Sequence, residues 1–231
     1  MTDPLDRAEA SARRLDEWRT QLHKLSAGSV PEIAEVSFLG RELRAAATVA
    51  AMAELEAILR DMLVDIGLVI SSRGIEVRRL LPCLRSLAAH STFVSMSSTA
   101  DAEKHWTQRL LVTSLEFSSA HAAMPTRVVK GPQPPLDGRT IQPHHLFTVW
   151  RVLGLTDPIP SASVVASLKK LTQIRNDVAH RNVDIAQVFS EAGRTSVEIA
   201  TYIDDVTLLI LNVGSEWSSY IANESFLTPT P

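Results

Sequence analysis

Several kinds of protein are excluded by what this 231-residue chain has little of. It holds one cysteine, nine glycines and 5% aromatic residues. A lone cysteine, Cys83 in LLPCLRSL, rules out an internal disulfide, fits a reducing compartment and reads as a small buried hydrophobe. So few glycines and aromatics argue against a sheet-rich fold or a glycine loop that cradles phosphate. There is also no excess of positive charge. A formal net charge of -3 and a pI near 6.2 give no overall field that would gather nucleic acid, so any such contact must rest on a local patch. A long uncharged stretch is missing too: the most apolar region, 45–70, is interrupted by Glu54, Glu56, Arg60, Asp61 and Asp65, short of the ~20 apolar residues a membrane span requires. The polar, charge-alternating start MTDPLDRAEASARR lacks the apolar centre of a signal peptide. The expectation is a cytoplasmic protein with no membrane partner. No HExxH and no paired CxxC occurs, so neither a metal nor a cofactor is expected.

What is present is helical periodicity. Thr2 and Pro4 open a first helix that runs to about Leu25, where SAGSVP ends it. From Pro31 to Ile70 the spacing of Leu55, Leu59, Met62, Ile66 and Val69 predicts one long helix, stopped by ISSRG. A shorter helix is predicted over about 76–89, then a small polar run, STFVSMSSTAD. Asp101 is placed to cap a further helix from Ala102 to about Ala122. Seven of the twelve prolines fall between 125 and 160, and the stretch 123–140 with its GPQPPLDG reads as an exposed loop before a short helix, PHHLFTVWRVLGL. Helices over 161–182 and 196–223 complete the chain. No sustained period-two alternation appears. The fold class is therefore all-α, a helical bundle, taken as one domain over 1–231.

The segment IRNDVAHRN, 174–182, carries the chemistry. On a helical wheel Val164, Leu168, Leu171, Ile174 and Val178 form one apolar stripe, while Lys169, Gln173, Asn176 and His180 share another face. Asn176 and His180, four apart, are neighbours. Arg175 falls beside Leu168 and Leu171, where its permanent charge needs acceptors or an anion; Glu54, Glu56 and Asp61 are the carboxylates considered for it. Positions 175 and 180 diverge by about 140° on a regular helix. They meet at one atom only if the helix loosens near Ala179 or if two copies pool their residues across a twofold axis, the first sign of a homodimer.

Arg175-Asn-Asp-Val-Ala-His180 resembles the motif of HEPN domains, an arginine followed by four to six residues and a histidine. LKKLTQIRNDVAHRN resembles the family's leucine-rich lead-in, and IQPHHLFTVWRVLGL a preceding segment of MAE-type and RiboL-PSP-type members; the resemblance is strongest over 140–222. Arg181 stands where many relatives have glycine after the histidine. The resemblance implies a HEPN-type bundle acting as a homodimer and a metal-independent endoribonuclease, commonly a toxin of a toxin–antitoxin or phage-defence system with an antitoxin protein as partner. His180 would be the acid or base, Arg175 would hold the phosphate, and Asn176 would orient His180 or bind a phosphate oxygen. Attack by a 2'-OH would leave 2',3'-cyclic phosphate and 5'-OH ends on the RNA substrate. The alternative is a noncatalytic HEPN scaffold or interaction module.

Other polar residues have plainer readings. Asp177 and Arg181, four apart, suit a solvated ion pair. His144 and His145 lack further ligands for a metal, and the pairs Asp61/Asp65 and Asp204/Asp205 suit a solvated helix face. Arg127, Lys130 and Arg139 keep a loop soluble or guide RNA. Trp106, Trp150 and Trp217 sit at helix-compatible positions and are assigned to the core.

Overall fold

A computed structural model describes residues 3–27, 31–125, 132–180 and 184–229. Among these residues the protein is all-α, with no strand and only two isolated bridges, Glu76 with His121 and Leu80 with Leu227. The helices are α1 (Pro4–Ser26), α2 (Pro31–Val36), α3 (Phe38–Ser72), α4 (Pro82–Ala88), α5 (His90–Ser98), α6 (Ala102–Thr113), α7 (Pro143–Leu153), α8 (Ala162–His180), α9 (Ile185–Val188) and α10 (Ser196–Ala222). None of the described helices is long and apolar enough to cross a membrane.

The chain divides into two compact units. The first comprises Met1–Leu59, Thr140–Leu146 and Ile159–Ser218; the second comprises Arg60–Arg139, Phe147–Pro158 and Ser219–Pro231.

In the first unit α1 starts where Asp3 accepts the Leu5 amide at 2.8 Å, with Pro4 in the first turn. The cap is thus Asp3, whose carboxylate also faces the positive end of the helix; Thr2 lies outside the described residues. Ala8, Leu15 and Leu22 are fully buried on one face. Close approach between α1 and α10 depends on Gly214, where a Cβ would come within 2.4 Å of the Ala8 Cβ. Trp217 on α10 is fully buried, as expected for it.

The predicted single helix over 31–70 is two helices. Ser37 interrupts it: its hydroxyl donates to the Ala34 carbonyl at 2.7 Å and accepts the Gly40 amide at 3.0 Å, ending α2 and capping α3 with one side chain. The turn is so tight that a Cβ on Gly40 would sit 2.2 Å from the Ala34 carbonyl oxygen. Sequence periodicity passed over this break because no proline marks it.

In the second unit Gly74, at φ +60°, stops α3. The stretch that follows, a 3-10 turn at Val77–Arg79 between extended Glu76 and Leu80, is paired on both sides, with Val77 donating to Ala120 at 2.9 Å and Leu81 donating to Phe226 at 3.0 Å. Three expectations fail here: the helix predicted over about 76–89 is α-helical only as α4, Pro82–Ala88, and two others follow. The polar run after Ala89 is helical, forming α5, and α6 ends at Thr113 rather than near Ala122. The Thr113 and Ser114 hydroxyls bond back to carbonyls one turn earlier, competing with helix propagation. Residues 118–122 then turn to pairing with 75–78. Asp101 caps α6 as predicted, accepting the Glu103 amide at 2.9 Å. Trp150 is buried, but Trp106, assigned to the core, is 62% exposed. Within 123–140, Pro132, Asp137, Gly138 and Arg139 are exposed, whereas Met124, Gln133 and Pro134 are buried. Gln133 donates to the Pro125 carbonyl at 3.3 Å, which anchors this part of the stretch.

Candidate functional site

Helix α8 buries the stripe its sequence dictates. Val164, Leu168, Leu171 and Ile174 are fully buried, and Val178 is half-buried. Lys169 and Gln173 are exposed, while Arg175, Asn176 and Asp177 are half-buried at the edge. Each fully buried aliphatic side chain stabilises by roughly 1.5–3 kcal/mol, enough to fix the rotation of α8 and hence the direction of its polar face.

Two hydrogen bonds fasten the segment before α7 to that face. Thr172 donates to the Ile141 carbonyl at 2.8 Å, and one turn later Thr140 donates to the Asn176 Oδ1 at 3.0 Å. Arg175 also donates to this oxygen, more weakly at 3.4 Å. The two donors assign the amide orientation, which leaves the Asn176 nitrogen as a donor. Next along, the Gln142 amide donates to the His145 Nδ1 at 3.1 Å, so His145 caps the start of α7. Gln142, Lys169, Thr172, Gln173, Asn176 and Asp177 line a pocket of about 310 Å³. Its wall combines one ammonium and three amide side chains with a single carboxylate and the Thr172 hydroxyl, whose proton is committed to Ile141; the ammonium and the amides make it suited to an anion with several oxygens.

The carboxylate is not free. Asp177 receives Arg194 at 2.8 Å, and Arg194, only 4% exposed, also bonds Glu191 and the Val188 carbonyl. Arg44 donates to the Arg194 carbonyl at 2.8 Å and pairs with Glu35 at 3.1 Å, whose oxygens accept the Ser196 amide at the start of α10. Burial draws the Arg44 guanidinium below its ordinary value, with Glu35 opposing. This network joins Glu35, Arg44 and Ser196 to the last turns of α8. The expected partner of Asp177, Arg181, lies outside the described residues, as does Asn182; Arg194 takes that carboxylate instead.

Of the residues singled out in the sequence, Arg175 and Asn176 are brought together. Arg175 does not use Glu54, which is held by Arg14 at 2.7 Å and by Ser11 at 2.8 Å. His180 is the last residue of α8, and its side chain lies outside the described set. The helix stays α-helical through Ala179 to His180, so the local loosening that would let positions 175 and 180 converge on one strand of chain is absent. Thr140, Gln142, Thr172 and Arg194 were not singled out beforehand. Three of them act through contacts 17 to 36 residues away in the chain, for which short-range spacing holds no signal. His144 and His145 have ring centroids 4.0 Å apart, and no group of three or more His, Cys, Asp or Glu among the described residues is arranged to hold a metal ion. Compared with known proteins, the chain matches no family model, no curated protein and no solved structure.

Proposed function

We propose that this protein is a metal-independent endoribonuclease of the HEPN class, working as a homodimer. The observation that carries the reading is the fixed pair of Arg175 and Asn176 beside the donor-lined pocket, on the same helix as His180 and in the order and spacing of the motif. In the proposed reaction His180 takes the proton from a ribose 2'-OH, whose oxygen attacks the adjacent phosphorus. The 5'-oxygen leaves and takes up a proton, giving a 2',3'-cyclic phosphate and a 5'-OH. Arg175 offsets charge building on the non-bridging oxygens, and Asn176, oriented by Thr140, donates to one of them. Lys169 and Gln173 extend the donor surface along the strand. Because α8 remains regular to its end, the composite site is assembled across a twofold axis near this helix, each copy supplying part of it. The biological role fitted to this chemistry is a toxin of a toxin–antitoxin or phage-defence system, with an antitoxin protein as its restraint.

Purified protein is expected to cut single-stranded RNA in EDTA, leaving cyclic phosphate ends, and to spare DNA of the same sequence. His180→Ala is expected to lower cleavage by about 10²-fold or more with its melting curve unchanged. Dependence on magnesium, equal cutting of DNA, or full activity in His180→Ala would overturn the assignment.

One observation favours a second reading, a noncatalytic interaction module. Asp177 presents a carboxylate in the pocket wall and is locked to buried Arg194, as a polar knot that fixes helix register would be. Absence of cleavage by a folded dimer selects that reading.

A further inference from the structure

The pocket on α8 is lined by a ladder of polar side chains. Lys169, Gln173 and Asn176 stand four and three apart, so all three share one helix face and one cavity. The segment before α7 flanks it. The Thr172–Ile141 and Thr140–Asn176 bonds fix that segment, and Gln142 reaches the cavity from it. Among the described residues no carboxylate pairs with the Lys169 ammonium, and the Gln142 and Gln173 side-chain amides are unused. The one carboxylate in the wall, Asp177, stands at the Asn176 end and is held by buried Arg194 at 2.8 Å. The group that would repel an anion is therefore already paired, and the unpaired charge at the other end is positive.

Asn176 lies seven residues from Lys169, about 10.5 Å along the helix axis, too far for one phosphate to touch both. Gln173 and Lys169 centre on position 171, about 7.5 Å along the axis from Asn176, which is close to the separation of successive phosphates in an extended strand. We propose that Lys169, Gln173 and Gln142 form a second phosphate subsite, which takes the phosphodiester one nucleotide away from the one held by Arg175 and Asn176. The RNA backbone then runs along the α8 axis. This inference rests on the ribonuclease reading and adds to it a substrate that must carry two adjacent phosphates. Lys169 supplies a point charge, and the amides donate to non-bridging oxygens. Such contacts fix the register of the strand and carry no base preference.

Lys170, the next residue, carries the same charge outside the cavity: its Nζ lies 3.9 Å from where a Cβ on Gly193 would stand. It is the matched control. NMR titration of the full chain with 2'-O-methyl dinucleotides, which lack the attacking hydroxyl, tests the subsite. One probe has its internal phosphodiester alone, and two others add a terminal phosphate at the 5' or the 3' end. At least one terminal phosphate is expected to tighten wild-type binding about fivefold, and the end that does so gives the direction of the strand. Lys169→Gln is expected to remove that gain and Lys170→Gln to keep it. No gain in the wild type, a gain that survives Lys169→Gln, or equal losses in the two variants overturns the proposal; attraction by overall charge alone would give the equal losses. Cleavage of unmodified RNA is scored separately. Cleavage without the gain overturns the subsite and leaves the ribonuclease reading standing, whereas the gain without cleavage overturns that reading and keeps the subsite.

Discussion

Helix α8 and the α5–α6 hairpin have similar raw material and opposite solutions. In α8 four aliphatic residues are fully buried, and the polar groups at the stripe's edge are tied to other elements by Thr140, Thr172 and Arg194. In α6 Trp106, Leu110 and Leu111 face water, while His105 and Gln108 bond to the neighbouring turn and helix. An amphipathic pattern therefore states that a helix has two faces, but the neighbour decides which is covered. Where the chain provides an apolar neighbour, as for α8, the stripe supplies stability and aims the polar face. Where it provides Ser95 and a backbone carbonyl, as for α6, Trp106, Leu110 and Leu111 are left exposed to water.

Substitutions sharpen this contrast, beginning with the largest effect. Leu171→Ala, at a fully buried position, is expected to cost about 3–5 kcal/mol by urea denaturation, the sum of lost transfer energy and an unfilled cavity. Arg194→Ala leaves Asp177 and the Val188 carbonyl without their donor; because Asp177 is partly exposed, a loss of about 2–3 kcal/mol is expected, below the full cost of breaking a buried pair. Thr140→Val removes one hydrogen bond to Asn176 and is expected to cost about 1 kcal/mol. Its informative readout is RNA cleavage, which should fall several-fold as the Asn176 amide loses its orientation, while Thr140→Ser restores it.

A smaller effect depends on pH. Hydrogen bonds from Arg14, and secondarily from Ser11, hold the Glu54 carboxyl below the usual carboxylate range against the opposing effect of burial. Its folded-state pKa thus lies below the unfolded value. The associated stability is fully present above the unfolded value and is lost as pH falls through the folded one. The difference in unfolding free energy between wild type and Glu54→Gln, less than about 1 kcal/mol at neutral pH because Arg14 is largely exposed, should shrink toward zero as titration proceeds into strong acid. The smallest effect belongs to the hairpin: Leu110→Ala, at a position 67% exposed, is expected to change stability by no more than about 0.5 kcal/mol by urea denaturation. A loss comparable to that of Leu171→Ala would show that Leu110 is covered within the chain.

The contrast also explains which features were legible. Apolar spacing announced α8 and most of α3, and a single aspartate announced the start of α6. Helix α5 was hidden by its serines and threonines, which favour turns and caps as readily as helix. Trp106 occupies a helix-compatible position, yet position on a helix does not say whether anything covers it. The Ser37 break was hidden because a serine inside a helical pattern becomes a cap only when a following glycine permits the close turn, as Gly40 does.

At the candidate site, the sequence by itself determined that positions 164, 168, 171 and 174 share one face and that 175 and 180 do not share another. Those relations follow from the rise and rotation of a helix, which bonds each residue to one four away. Only the tertiary structure decided that Asp177 is taken by Arg194, that Glu54 goes to Arg14 instead of Arg175, and that Thr140 sets the Asn176 amide. A chain with 23 basic and 26 acidic residues offers each charged group many partners of similar intrinsic strength. The choice among them is made by which backbone segments the buried stripes bring within about 3 Å of one another.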